Sequence, residues 1–281
     1  MGILRKEEVE IFLLGGLGNQ LFGWAAGVSL ARKLDCNLTV NTSQLSSRRL
    51  AIPEHVLAGT TISEKEPLYY RNNSKFFKSV YRNLPLHRTY FERQYSFEKR
   101  FNSITRPVKL DGFFQSKDYF SGFESEILEL LNDQKNLTAE YIRIRSRLPA
   151  QYISIHFRRG DYVSNSDFHP LATKQYYEKA LRRVGDLGID LEKVIFTDDE
   201  SLARKEFPMD LILSEKDLPE PFDNMYLMSE GTAIIGANSS FSLWAAFLRK
   251  TNGGTCIFPN RWFGRGFMEN LTPVPPEFIR I

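Results

Sequence analysis

Two arginines stand side by side where a strand should end: residues 153–163 read ISIHFRRGDYV, a run of β-formers closed by Arg158, Arg159 and a glycine. A guanidinium is always charged and presents its donors as a flat fork that matches phosphate or carboxylate, so adjacent arginines at a strand end suit a doubly charged anion. Side chains alternate along a strand, which puts Ile153, Ile155 and Phe157 on one face and Ser154, His156 and Arg158 on the other. His156 and Arg158 are therefore expected to reach one ligand, with Arg159 on the turn closing from another side. A charge-assisted hydrogen bond contributes about 1.5–3 kcal/mol, so two forks could hold a diphosphate and stabilise the charge it gains as a leaving group. Taken alone, the pair would serve equally as a solvated turn.

Other strand ends are also polar or glycine-rich: GGLGNQ, FTDDE, GANSSF and FPNRW. In open parallel sheets ligands bind at such carboxyl ends, where loops feed helix N-termini. Gly16 and Gly18 match the first two glycines of a dinucleotide fingerprint. The third position is Leu21, however, and no acidic residue follows near position 40, so NAD binding is not expected. What remains is a tight loop whose backbone can approach a ligand, with Asn19 and Gln20 as donors at the opening of a helix. Asp198 and Asp199 bring to mind a divalent metal, but neighbouring side chains at a strand end diverge. Asp199, just ahead of Glu200, reads as a helix cap, and the expected division has one carboxylate accepting from a base or ribose and the other capping. Asn238, Ser239 and Ser240 sit where a strand becomes a helix, so amide donors and hydroxyls there can meet a phosphate or simply form an N-cap.

The elements that must position these groups follow from the hydrophobic pattern. Val9–Leu14 reads as a buried strand, a helix follows with Phe22, Ala26, Leu30 and Leu34 at fourfold spacing, and 37–41 returns as a strand. Residues 43–108 are basic and aromatic without a clean period and read as mixed loops and short helices. A strand is expected at 110–115, helices between 121 and 147, and a domain boundary at Pro149. Beyond it, strands at 152–157, 194–197, 211–213, 232–237 and 255–258 alternate with helices around 176–184, 201–206, 224–229 and 241–250. That alternation predicts a doubly wound α/β sheet.

With 281 residues, of which 42% are hydrophobic and 25% charged, the chain suits two soluble α/β domains, 1–149 and 150–281, and hence a cleft. A net charge of +3 argues against nucleic acid as the main partner. Basic residues thicken the first half, including Arg48, Arg49, Arg88, Arg93 and Arg100, and would allow weak peripheral contact with an anionic membrane. Cys36 and Cys256 are far apart without metal-ligand spacing, which fits reduced thiols in the cytoplasm. The charged, short apolar start is neither a signal peptide nor a spanning helix.

GGLGNQLF, WAAGVSLA, LDGFFQSKDYF, HFRRGDYV, FTDDE and LMSEGTAIIGANSSFSLWAAFL occur in the order found in bacterial α-1,2-fucosyltransferases of glycosyltransferase family 11, which the chain resembles from Gly15 to Trp262. The arginine motif is shared more widely with α-1,6- and protein O-fucosyltransferases, whereas GGLGNQ with ANSSFSLWAA is similar to family 11 in particular. The resemblance implies a GT-B-like fold of two Rossmann-like domains facing a cleft, with acceptor on the amino-terminal side and GDP-fucose on the carboxy-terminal side. It also implies GDP-β-L-fucose as donor, inversion to α-1,2-linked fucose on a galactose-containing or lipid-linked glycan, and no required metal or other cofactor. Carried over by residue, Arg158 lies closest to the β-phosphate, Arg159, Ser239, Ser240 and Phe241 complete the nucleotide site, and His156 and Asp199 face the guanosine. Asn19 approaches diphosphate or fucose. By their place in the loop after the arginines, and not by the resemblance, Asp161 and Asp167 are alternative carboxylate bases between which the sequence does not choose. Gly231, Thr232, Ala233 and Leu243 depart from the family pattern and mark a divergent member.

Overall fold

Strand β1 (Glu8–Phe12) forms the centre of a parallel sheet because Val9, Ile11 and Phe12 are apolar on both of its faces, and parallel sheets are covered on both sides. The computed structural model describes residues 7–67, 69, 88–132, 137–159, 170–249, 254–264, 268 and 271–281. The chain divides into two compact units, Met1–Leu130 and Leu131–Ile281. In the first, strands β2 (Asn37–Asn41), β3 (Thr61–Ser63), β4 (Thr89–Phe91) and β5 (Lys109–Asp111) complete a five-stranded sheet of order β3-β2-β1-β5-β4. β1 pairs with β2 and β5, β2 with β3, and β4 with β5, all in parallel.

Helix α1 (Leu17–Lys33) covers β1 and β2, and its close approach depends on Gly27. A Cβ there would lie 2.9 Å from Leu38 Cδ1 and 3.0 Å from Ile11 Cγ2. Glu10, buried in the sheet, accepts from Asn41 Nδ2 at 2.7 Å and pairs with Lys109 Nζ at 2.6 Å, so its charge is compensated where burial alone would be costly. Strands β3 and β4 fall within 43–108, where only loops and short helices were expected; three residues are too few to carry a period. β5 ends before the expected 115 because Phe114 takes a left-handed conformation, φ 52°.

The second unit is a six-stranded sheet of order β11-β10-β9-β6-β7-β8, formed by β6 (Ile153–Phe157), β7 (Lys193–Thr197), β8 (Leu211–Ser214), β9 (Ala233–Ile235), β10 (Thr255–Phe258) and β11 (Ile279–Arg280). With the parallel sheet of the first unit it makes the α/β, GT-B-like architecture of two Rossmann-like units. Helices α2 (Glu124–Leu131), α3 (Ala139–Arg145), α4 (Lys174–Asp186), α5 (Glu200–Glu206), α6 (Pro221–Ser229) and α7 (Ser240–Leu248) complete the regular elements used below. Ile153, Ile155 and Phe157 enter one apolar cluster with Tyr176, Tyr177, Ala180 and Val184 of α4 and with Ala203 and Phe207, as the alternation predicts. The division at Leu130 precedes the expected Pro149 because α3 is tied to α6 and its C-terminal end. Thr138 Oγ1 donates to Asp223, Tyr141 Oη donates to Glu230 at 2.6 Å, and Arg145 Nε pairs with Glu230 at 2.7 Å.

Gly27→Leu should lower stability by about 1–3 kcal/mol through overpacking, seen as a lower denaturant midpoint at unchanged slope. Gly185→Ala in α4, where an added Cβ meets nothing within 4 Å, should be neutral or stabilising by up to about 1 kcal/mol.

Candidate functional site

The end of β6 is held to the end of β7 by one carboxylate. Asp198 accepts from the Arg159 backbone N–H at 2.8 Å through Oδ1 and pairs with Arg158 Nη1 at 2.9 Å through Oδ2. Thr197 Oγ1 adds a bond to Phe157 O at 2.9 Å. The Arg158 side chain keeps 24% of its surface exposed, so the guanidinium is anchored on one side and still reachable.

Arg159 takes the other face. Its guanidinium is buried, 3.9 Å above the Phe157 ring and 6.0 Å from that of Tyr177, and Nη1 donates to Arg158 O at 3.0 Å. The pair expected to grip one anion together is thus divided in this structure: Arg158 lies at the rim, while Arg159 is stacked on aromatic rings. An arginine that follows a strand by one residue inherits the opposite face, which is the physical reason.

His156 is buried with its ring 5.6 Å from Phe241 on the first turn of α7. Burial, and then the Arg158 charge, push its pKa down to about 3, so the imidazole is neutral at ordinary pH. Nδ1 has no hydrogen-bond partner among the described residues, although Tyr177 Oη donates to the His156 carbonyl at 2.8 Å. A neutral, buried imidazole beside an arginine at a strand end has the chemistry to accept from or donate to a ligand edge.

Ser239 is the N-cap of α7 and accepts from Phe241 N at 3.3 Å, and Asn238 Nδ2 donates to Trp262 O at 3.1 Å. Ser240 opens the helix. The capping role is therefore present, and the amide of Asn238, offered by sequence as a phosphate donor, spends a donor on the loop after β10. Asp199 caps α5 by accepting from Leu202 N at 2.9 Å. Against expectation, Asp198 meets the arginine pair, not a site left open for base or ribose. Asp199, assigned to guanosine by resemblance, is the cap, because a residue between strand and helix faces the orphan helix amides first.

In the first unit the glycine loop departs from its expected reading. The left-handed glycine is Gly15, φ 68°, not Gly16 or Gly18; Gly16 is the N-cap of α1 and Gly18 lies buried within its first turn. Gln20, expected to donate to a ligand, is fully buried and anchors the loop. Its Nε2 donates to Gly15 O and Arg49 O, each at 3.0 Å, and its Oε1 accepts from Ala51 N at 2.9 Å. Both amide hydrogens are thereby used, which removes it as a ligand donor. Asn19 Oδ1 accepts from Gln115 Nε2 at 2.7 Å and stays partly exposed.

Asp161 and Asp167, the two proposed bases, lie outside the described residues. Among the described residues no group of three or more His, Cys, Asp or Glu could hold a metal ion, and no helix is long and apolar enough to cross a membrane. Sequence reasoning missed Trp262 as the partner of Asn238 and missed Glu92 altogether; a lone glutamate after a three-residue strand carries no periodic signal.

The sequence profile described as Glycosyl transferase family 11 matches residues 6–278. A relative named Alpha-1,2-colitosyltransferase, from Escherichia coli, is 29% identical over 96% of this chain and 97% of its own length. A second from the same organism, O-antigen biosynthesis glycosyltransferase WbnK, is 26% identical over 92% and 96%. Among solved structures, Arabidopsis thaliana FUT1 (mutant R284K) in complex with GDP aligns with a TM-score of 0.51 and 14% identity, over 96% of this chain and 74% of that one. That likeness concerns the fold.

His156 should show no titration of its ring protons between pH 8 and 5 by NMR. Its folded pKa lies below the unfolded value of about 6.5, so its neutral form contributes stability that is complete above that value and is lost as pH falls toward 3. His156→Asn should flatten that acid limb of stability.

Proposed function

Because the chain belongs to glycosyltransferase family 11, we propose that it transfers L-fucose from GDP-β-L-fucose to the 2-hydroxyl of a galactose-containing glycan, with inversion to an α-1,2 linkage. The observation that carries this reading is Arg158, anchored by Asp198 at the carboxyl end of the central strand and still exposed toward a ligand. In the reaction the acceptor oxygen bonds to the anomeric carbon while the bond from that carbon to the β-phosphate oxygen breaks. GDP leaves with the electron pair, and its added charge falls on a phosphate that Arg158 stabilises. The acceptor proton passes to a carboxylate base, for which Asp161 and Asp167 remain the candidates.

Buried His156 and half-buried Phe241 are suited to the guanine end of the donor, and the first turn of α7 to the phosphates. Since Arg158 and the amides that open α7 can supply positive charge, the transfer should proceed without metal. The relatives' names support an α-1,2 linkage and a role in O-antigen assembly; a lipid-linked acceptor at the inner face of a membrane is part of the same proposal. The colitosyltransferase relative favours a second reading of the donor. Colitose is L-fucose without its 3-hydroxyl, so the two donors differ at a single position.

Incubation with GDP-fucose and a β-galactoside, with linkage analysis of the product, tests the proposal, and parallel GDP-colitose assigns the donor. Calorimetric affinity for GDP well above that for UDP and ADP is expected. Saturable glycan binding without turnover of any nucleotide sugar would make the chain a binding module instead. Arg158→Ala should lower kcat by about 10²–10³ with folding intact, and a near-normal rate would remove the assigned role. EDTA should leave the rate unchanged.

A further inference from the structure

Glu92 is a buried carboxyl group that the reaction above does not use. It follows β4, and its N–H donates to Asp111 O at 2.9 Å, which continues the ladder with β5. Oε2 accepts from Phe113 N at 2.7 Å and Phe114 N at 2.9 Å. Two successive amides converge on one oxygen where Phe114 is left-handed, a conformation that costs of order 1–3 kcal/mol in a residue with a side chain. The Phe114 ring, fully buried, is packed on Tyr90, Phe101 and Tyr119 with centroids 6.2, 6.1 and 5.1 Å away. Gly112 makes room for the carboxylate, since a Cβ there would lie 2.4 Å from Glu92 Cβ.

Oε1 is different. It is shielded from solvent and has no partner of hydrogen-bond geometry among the described residues; the Tyr119 hydroxyl, close enough to pull the Glu92 pKa down, donates to Ser96 O at 3.2 Å. A buried acceptor left in that state needs an explanation, and a missing ligand is one. Beside it, Tyr95 and Phe113 stack with centroids 6.3 Å apart at 26°, both partly exposed. Tyr95 lies near enough for the Glu92 charge to act on its hydroxyl. These residues gather at the carboxyl ends of β4 and β5, the edge at which open parallel sheets take ligands.

We propose that Glu92, Tyr95 and Phe113 form a hexose-binding subsite, with an apolar sugar face against the aromatic pair and a sugar hydroxyl donating to Glu92. A hexopyranose offers both complements at once: a patch of C–H groups and, at its edge, hydroxyl donors. Oε1 can accept such a donor without giving up an existing bond, whereas Oε2 is already satisfied by its amides. Because Oε1 is shielded, rotation of the carboxyl group or of a covering ring accompanies binding. The subsite deepens the reading above, on which the hexose is the galactose of the acceptor.

Acceptance requires the ionised carboxylate. Burial raises the Glu92 pKa to about 7 against the opposing pull of the Phe114 and Phe113 amides. The groups facing it do not titrate in that range. Burial pushes Tyr90, Tyr95 and Tyr119 up, so they stay neutral. Burial also works to raise Glu98, but bonds from Tyr90, the Arg93 amide and Arg100 bring it below its ordinary value, so it stays ionised. Affinity for the sugar should therefore rise as pH passes upward through 7.

The test is titration of the full-length protein with methyl β-galactoside, without nucleotide, at pH 6 and pH 8. The native chain should bind several-fold more tightly at pH 8. Glu92→Gln should weaken binding about tenfold and abolish the pH dependence, and Tyr95→Ala should weaken it by a similar factor. GDP affinity and thermal midpoint report on folding; if Glu92→Gln does not fold, Phe113→Leu takes its place. Unchanged galactoside affinity in folded variants overturns the subsite, and so does the absence of binding to galactose, glucose, N-acetylglucosamine and fucose glycosides alike. Glu92-dependent binding of another hexoside but not of galactoside keeps the subsite and overturns the acceptor assignment.

Discussion

The rim of the second unit depends on a single carboxylate bonded twice. Asp198 holds Arg158 by its side chain and Arg159 by its backbone, and both bonds cross from β7 to the residues that follow β6. A half-buried guanidinium with no counter-charge would be costly to desolvate and free to wander among rotamers. Pairing it with Asp198 removes both difficulties before any anion arrives. On the proposed reaction the arrangement would also limit affinity, because an incoming phosphate would share the guanidinium with a resident carboxylate. Strong anchoring of the arginine and maximal attraction for the anion are therefore opposed, and this geometry favours orientation, which is what stabilisation of a departing charge requires.

A related device recurs in the first unit. There Glu92 is held by two backbone amides, as Asp198 is held by one, and in both cases the carboxylate lies just past a strand. Peptide N–H groups at a strand end have lost their ladder partners and need acceptors. A carboxylate satisfies them and gains a fixed orientation in return. The difference lies in the second oxygen, which meets a cation at Asp198 and has no hydrogen-bond partner among the described residues at Glu92.

How much of this was legible in sequence depends on distance along the chain. The alternation from Ile153 to Arg158 fixed the two faces of β6 correctly, because period-two patterning is local. The strands and helices after residue 150 are legible from local pattern too, with ends off by a few residues, except β11, whose two residues are too few to carry a period. The capping role of Asp199 is legible from Glu200 beside it, and the structure bears it out; the role of Asp198 is not, because its partners Arg158 and Arg159 lie about 40 positions back, across two strands. Gln20 was misread because its carbonyl partner is Arg49, far along the chain, and nothing near Gln20 announces the contact. Glu92 and the short strands β3 and β4 lie in a basic, aromatic stretch where burial is decided by tertiary packing alone.

The three hydrogen bonds of Gln20 have an evolutionary corollary. A single base change converts a glutamine codon into one for glutamate, a residue of nearly the same shape. At this position the new side chain would set a negative oxygen against the carbonyls of Gly15 and Arg49, where an NH₂ group now stands. The easiest genetic step away from Gln20 is thus among the least tolerable, and drift there should run through paired changes that also rebuild residues 49–51.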